Sequence, residues 1–336
     1  MSELHIDVIA TTISGSIRDW GKVERIVPLF RRHGFEDVLL SAVDSHRAAR
    51  DKACECARSG GRLLISAGGS GTFNAVLAGC LDSGADLSAI TLGFLRKGSA
   101  DLIGKTLGMP DEIEAAIEVF AAAIRRKSTV PCDILAARSA EGQLPARHFV
   151  GYGGAEIFGA IPRYTENRFI KYYKGVLGQL FGDLGPFFVG TNLAILGKIF
   201  SRLGRPKRTW QVLVDDAVAT SGSFQAMIIL NGDLGPDLPF ARGVPLGSGD
   251  FYVFTLRDLG IIKLYRQLRH AWDASILKEP ERWGFEAFRV QRRLTLRPDD
   301  SDPFPLNTDG SALVCRGAAH VEIEGQIRLL SAPRAG

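Results

Sequence analysis

The chain has little of what would mark a secreted, metal-bound or membrane-spanning protein. Its five cysteines (Cys54, Cys56, Cys80, Cys132 and Cys315) are odd in number and scattered. Only Cys54 and Cys56 lie close together, and at that spacing on a helix two side chains point to different faces. Neither the cysteines nor the six histidines fall at a zinc spacing, so reduced, mostly buried thiols are expected. The opening MSELHIDVIA carries charges and no long apolar core, unlike a secretory leader, which gives the expectation of a cytoplasmic protein. Leu63–Leu81 is uncharged over a length close to that of a bilayer span, yet its Gly, Ser, Thr and Asn content favours a turn. Internal repeats and low-complexity tracts are lacking as well. No large excess of charge exists: the net charge of +4 does not demand nucleic acid, and suits phosphate ligands or an anionic membrane surface.

What is present is an ordinary globular composition, 46% hydrophobic and 23% charged, over 336 residues, enough for two domains. Over residues 1–129, apolar strand-like runs alternate with helical patterns. Strands are expected at His5–Ala10, Asp37–Val43, Leu63–Ile65 and Ile90–Leu95, and helices at Val23–Arg32, Ser45–Arg58 and Asp111–Lys127. The last helix has Asp111 and Glu112 at its start, Arg125, Arg126 and Lys127 at its end, and an inner stripe of Ile113, Ala116, Ile117, Phe120 and Ile124. Such alternation predicts a parallel α/β layer.

From about residue 130 the pattern changes to strands with few helices: Val130–Ala136, His148–Tyr152, Thr209–Val214, Ser223–Leu230, Gly249–Leu256, Phe288–Leu296 and Ala319–Ile323. Strict alternation across Phe288–Leu296 predicts one half-buried antiparallel strand. The expected architecture is an α/β domain over 1–129, joined by a C-terminal return at about 315–336, and a mainly β domain over 130–314. Phe169–Arg208 stands apart as apolar and aromatic, ending in Arg202, Arg205, Lys207 and Arg208. It reads either as a pair of core helices with a solvated basic end or as a hairpin apposed to an anionic membrane.

The stretch with chemical content is Leu63–Cys80, LLISAGGSGTFNAVLAGC. An apolar strand stops at Gly68-Gly69, passes Ser70-Gly71-Thr72 and leaves with helical spacing at Phe73, Val76 and Leu77. A glycine turn at a helix start bares backbone N–H groups and points the positive end of a helix dipole at an anion. The same glycines would also serve an ordinary packed βα turn. Arg96-Lys97, ahead of a second glycine turn at Gly98-Ser99, could neutralise phosphates or form a solvated basic turn.

Four separated stretches, in order, resemble the catalytic domain shared by diacylglycerol, sphingosine and ceramide kinases, whose fold is related to that of NAD kinases. Gly68-Gly69-Ser70-Gly71-Thr72 is similar to the family's GGDGT loop, with Asn74, Val76 and Gly79 in the helix behind it. Leu92-Gly93-Phe94-Leu95 with Gly98-Ser99-Ala100-Asp101 resembles its second nucleotide loop, and is closer to the GSTD stretch of ceramide kinases than to GTxNDF or GSGNALA. Pro131-Cys132-Asp133-Ile134 resembles the acidic segment leading into the second domain, and Asn307-Thr308-Asp309-Gly310 the late turn before the return to the first. The resemblance implies an NAD-kinase-like α/β nucleotide-binding domain followed by an antiparallel β-sandwich-like domain. It implies ATP with Mg²⁺ as cofactors and γ-phosphoryl transfer to the primary hydroxyl of a lipid, ceramide first, with lipid entering between the domains. Peripheral association with the inner face of an anionic membrane would follow. Nucleotide would lie against Gly68, Gly69, Ser70, Gly71, Thr72, Gly98 and Ser99, with Asp309 nearby.

Departures bear on mechanism. The acid of GGDGT is Ser70 here, the following helical Glu is Ala75, and the acid after the late turn is Ser311. The remaining carboxylates able to orient or deprotonate a hydroxyl are Asp101, Asp133 and Asp309. Each has another reading: Asp101 as an N-cap for a helix from Leu102, Asp133 as the partner of a surface arginine, Asp309-Gly310 as a plain turn. Loss of the family acid also leaves open a lipid- or nucleotide-binding protein without turnover.

Overall fold

The computed structural model describes residues 4–11, 23–96, 102–141, 145–165, 191–195 and 207–333. They fall into two compact units, Met1–Cys132 with Gly325–Gly336, and Asp133–Glu324.

The first unit is the parallel α/β layer that the alternation predicts. In chain order it contains β1 (Ile6–Thr11), α1 (Ile26–Arg32), β2 (Val38–Val43), α2 (His46–Arg58), β3 (Leu63–Gly68), α3 (Ser70–Asp82), β4 (Thr91–Arg96), α4 (Leu102–Thr106) and α5 (Ile113–Arg126). The strands run parallel in the order β2-β1-β3-β4. All six residues of β1 and of β3 are buried, as a strand covered on both faces requires; β2, at the edge, is half exposed. Ser45 caps α2 by accepting the Ala48 N–H at 3.1 Å. On α5 the predicted stripe is buried at Ile113, Ala116, Ile117 and Phe120. Phe120 lies so close to the sheet that a Cβ on Gly93 would sit 2.9 Å from its ring.

The second unit opens with β5 (Thr129–Ser139), whose first residues belong to the first unit, and continues through β6 (Arg147–Phe149), β7 (Tyr152–Glu156) and α6 (Ile157–Thr165). Then come β8 (Trp210–Val214), β9 (Ala217–Gly222), β10 (Phe224–Leu230), β11 (Phe251–Arg257), α7 (Ile261–Trp272) and α8 (Pro280–Trp283). The chain ends in β12 (Phe285–Val290), β13 (Arg293–Pro298), β14 (Phe304–Thr308), β15 (Ser311–Cys315) and β16 (Ala319–Leu330). One antiparallel sheet has the order β12-β11-β10-β7-β14-β15, and a second layer of this unit the order β16-β13-β8-β9. Side chains of both, among them Met227, Phe251 and Phe304 from the one and Trp210, Leu294 and Val321 from the other, form a single core. Trp210 meets Phe304 edge-on at 4.8 Å between ring centroids. The β-sandwich-like expectation holds.

The structure differs from the sequence reading in three respects. Phe288–Leu296 is two strands: β12 pairs with β11, while β13 pairs with β8 and β16. The break at Gln291-Arg292 is held by Asp215, whose carboxylate accepts the N–H groups of Gln291, Arg292 and Arg293. His148–Tyr152 likewise divides into β6 and β7 around Val150-Gly151. The helices α6 and α7 and the strands β9, β14 and β15 were not anticipated. Of Phe169–Arg208, most lies outside the described residues; 191–195 are helical. Lys207 pairs with Asp258 at 3.3 Å and Arg208 with Asp300 at 2.7 Å, so these two cations are engaged within the unit. Among the described residues no helix is long and apolar enough to cross a membrane. Cys56, Cys80, Cys132 and Cys315 are buried free thiols, and burial pushes Cys80 and Cys315 up to about 12.

The α2–α3 contact tolerates no added atom. A Cβ on Gly79 would lie 2.2 Å from the Arg50 carbonyl oxygen and 2.7 Å from the Ala53 Cβ. Gly79→Ala is expected to destabilise by roughly 1–3 kcal/mol through forced separation of the helices, read as a lower urea midpoint in equilibrium unfolding.

Candidate nucleotide-binding loop and associated carboxylates

In the first unit, the strand order places a change of direction between β1 and β3. From β1 the chain moves outward to β2; from β3 it moves the other way to β4. Helix-covered parallel sheets bind ligands at the carboxyl ends of their strands, where such a divergence opens a crevice. The register aligns those ends: Ala10 pairs with Ala67 and Gly68 with Arg96. The turns after β1, β3 and β4 therefore begin side by side. Residues 12–22 and 97–101, which contain Gly98, Ser99 and Asp101, lie outside the described residues.

The turn after β3 is built as the sequence implies. Gly68 ends the strand, and a Cβ there would lie 2.3 Å from Thr72 Oγ1. Gly69 is the N-cap of α3 and has no side chain with which to cap it. The first intrahelical bonds run from the N–H groups of Thr72 and Phe73 to the Gly69 carbonyl. Ser70 and Gly71 thus precede the first bond of the helix, where N–H groups have no intrahelical acceptor and the dipole is positive. Gly71 packs closely, since its Cβ would come 2.8 Å from the His46 ring.

Thr72, which the resemblance sets against nucleotide, is fully buried, and its hydroxyl meets Thr11 Oγ1 at 2.5 Å. Its part is to tie the β3 turn to the end of β1. Sequence reasoning missed Thr11 in this role, although its place at the end of a strand was legible. Ser66 Oγ and both amide atoms of Asn74 are buried without a hydrogen-bond partner among the described residues. Unpaired polar atoms on the strand and helix that flank the turn fit a polar ligand there.

Asp133 and Asp309 belong to the second unit. Asp133 is 2% exposed, and its Oδ2 accepts the Gly249 N–H at 2.7 Å while its own N–H donates to the Leu246 carbonyl. Its carbonyl accepts from Asn231 Nδ2, which also reaches the Val150 carbonyl at 2.8 Å. Asn231 is fully buried and was not singled out from the sequence; the signal was a polar Asn-Gly-Asp ending an apolar strand.

Asp309 and Gly310 both have positive φ, 47° and 84°, as a two-residue hairpin turn of type I′ needs. The carboxylate is turned inward. It accepts the N–H groups of Val150 at 2.9 Å, Gly151 at 3.2 Å and Tyr152 at 2.8 Å. Burial raises its pKa to about 6, against those three N–H bonds, which favour the charged form. This carboxylate fixes the β6–β7 break; its oxygens are spent on backbone.

Comparison with known proteins agrees with this architecture. Residues 5–134 match the diacylglycerol kinase catalytic domain family. No curated protein matches the chain. Among solved structures, a "putative diacylglycerol kinase" from Bacillus anthracis strain Sterne is similar at a TM-score of 0.68 and 16% identity, over 99% of this chain and 98% of that one. A second, titled as a diacylglycerol kinase from the same strain, has a TM-score of 0.65 and 17% identity, over 99% and 98%. At these identities the likeness shows a shared two-domain fold.

Asp309→Asn removes an acceptor oxygen where three N–H groups converge, and is expected to destabilise by about 1–3 kcal/mol. The folded pKa lies above the unfolded 3.8, so the contribution of this group is full below about pH 4 and is lost as pH rises through about 6. Urea unfolding of the wild type between about pH 4 and pH 6 should show that loss, and the Asn variant a flatter dependence.

Proposed function

We propose that this chain is an ATP-dependent lipid kinase that transfers the γ-phosphoryl group to a lipid primary hydroxyl. The observation that carries the reading is the turn from β3 into α3, uncapped at Gly69 and set at the divergence of β1 and β3, within the residues that match the kinase family. The N–H groups of Ser70 and Gly71 would bind phosphate oxygens, and the Ser70 hydroxyl would add a donor. Thr72, held by Thr11, keeps the turn in shape. Mg²⁺, if bound, would neutralise charge on the phosphates. Gly98 and Ser99 would complete the nucleotide site.

Phosphoryl transfer through a loose transition state relies chiefly on positioning and charge stabilisation, so the loss of the acid at Ser70 is compatible with turnover. Asp101 or Asp133 orients or deprotonates the acceptor hydroxyl. The bond from Gly249 fixes the direction of the Asp133 carboxylate, as a positioning group needs. Ceramide is the acceptor favoured by Gly98-Ser99-Ala100-Asp101, and diacylglycerol the one favoured by the names of the similar proteins. The chain would act in the cytoplasm, against the inner face of the membrane. A second reading, binding without turnover, is favoured by Ser70 and by the commitment of the Asp309 carboxylate to backbone.

Radiolabel transfer from ATP to ceramide, diacylglycerol and sphingosine, assayed side by side, is expected to label a lipid, ceramide best. Preferential use of diacylglycerol would remove the ceramide assignment. Asp101→Asn or Asp133→Asn should lower the rate by roughly a hundred- to ten-thousand-fold with the fold retained. Absence of transfer to all three lipids, with Mg-ATP binding still seen by calorimetry, would establish the second reading.

A further inference from the structure

Among the described residues, nine large apolar side chains are exposed, and five of them (Ile261, Ile262, Tyr265, Trp272 and Leu277) fall within α7 and the turn after it. This concentration is not the scatter that any surface shows. The helix is held firmly from its other side. Leu264 is 1% exposed and packs against Ile157, Ala194 and Ile195. Gln267, wholly buried, donates to the carbonyls of Arg257 at 3.0 Å and Trp283 at 2.7 Å. With Leu264 and Gln267 inward, Ile262, Tyr265, Arg269 and Trp272 recur at spacings of three, four and three residues, and so share the outward face. Ile262 is 79% exposed there.

Charge decides what can cover this face. α7 contains Lys263, Arg266 and Arg269 and no acidic residue, and none of the three is in an ion pair among the described residues. Elsewhere the second unit pairs its cations readily, as Arg208, Arg257 and Arg289 do with Asp300, Glu286 and Asp250. A second copy of the chain, meeting this face about a two-fold axis, would bring cation against cation. A bilayer with anionic head groups fits instead. Aliphatic side chains enter the acyl boundary, Tyr and Trp lie at head-group depth, and Lys and Arg reach the phosphates along their own stems.

We propose that the outward face of α7 is the surface through which this chain docks on an anionic lipid bilayer. The inference rests on the kinase reading only in that a lipid acceptor would then be at hand; the docking itself needs no catalysis.

The test is co-sedimentation of the full chain, without nucleotide, with vesicles of phosphatidylglycerol and phosphatidylcholine in equal parts, against phosphatidylcholine alone. The wild type is expected to sediment with the mixed vesicles and to shift its tryptophan emission to the blue. Trp272→Phe should lose most of that shift while still sedimenting. Ile262→Glu with Trp272→Glu should weaken binding roughly tenfold or more. Lys263→Gln with Arg266→Gln and Arg269→Gln should remove the preference for the anionic vesicles. Circular dichroism verifies that each variant is folded. Failure of the wild type to bind, or wild-type binding by both the Ile262→Glu, Trp272→Glu variant and the Lys263→Gln, Arg266→Gln, Arg269→Gln variant, overturns the proposal. So does a wild-type dimer in sedimentation velocity that Ile262→Glu disrupts while vesicle binding persists. Phosphoryl transfer to a short-chain, water-dispersed lipid alcohol separates the two readings. If it is absent while docking depends on α7, the kinase assignment fails and this one stands.

Discussion

Parallel pairing of β1, β3 and β4 is the constraint from which the candidate site follows. Parallel neighbours cannot be joined by a tight hairpin, so each link must cross over, and helices covering both faces force the strands to be apolar throughout. Every link then leaves from the same edge of the sheet. With Ala10 opposite Ala67 and Gly68 opposite Arg96, three turns start at one level, and the turn after β3 is bare of side-chain caps. Thr72 and Thr11 link two of these strand ends by a buried hydroxyl contact. At the turn after β3, a ligand would meet the N–H groups of Ser70 and Gly71, which have no intrahelical acceptor.

The second unit solves a different problem with acidic residues. Its strands change sheet or break in mid-run, and each interruption leaves N–H groups that must be satisfied. Asp215 does this for Gln291–Arg293, and Asp309 for Val150–Tyr152. Asp133 accepts the Gly249 N–H in the loop ahead of β11. Such carboxylates look catalytic in a sequence, because an acid beside a glycine or at a segment boundary is also what chemistry uses. Here burial and backbone partners show the architectural half of their work.

This explains what was legible in advance and what was not. The α/β layer could be read because burial on both faces leaves long apolar runs, and because α5 advertises its ends by charge and its inner face by period. The glycine turn could be read because the steric demand at Gly68 excludes other residues. The division of Phe288–Leu296 could not, since alternation continues unbroken across Gln291-Arg292 while the partner strands change; the cause, Asp215, is remote in sequence. α7 did carry a signal, since its apolar and basic residues separate strongly at helical spacing, and the sequence reading missed it. Asp309 announced its turn but not its carboxylate's target, which lies more than a hundred residues upstream.

The last strand carries a temporal consequence. The free edge of β4 is completed by Arg328 and Leu329, which pair with Thr91 and Leu92. During synthesis the chain emerges from its amino end, so β4 waits with that edge open until Arg328 and Leu329 have been made. An unpaired strand is a template for any neighbouring chain. The nascent first unit therefore keeps an open template for misassociation until Arg328 and Leu329 have emerged, and a chain cut short before them would keep that opening permanently.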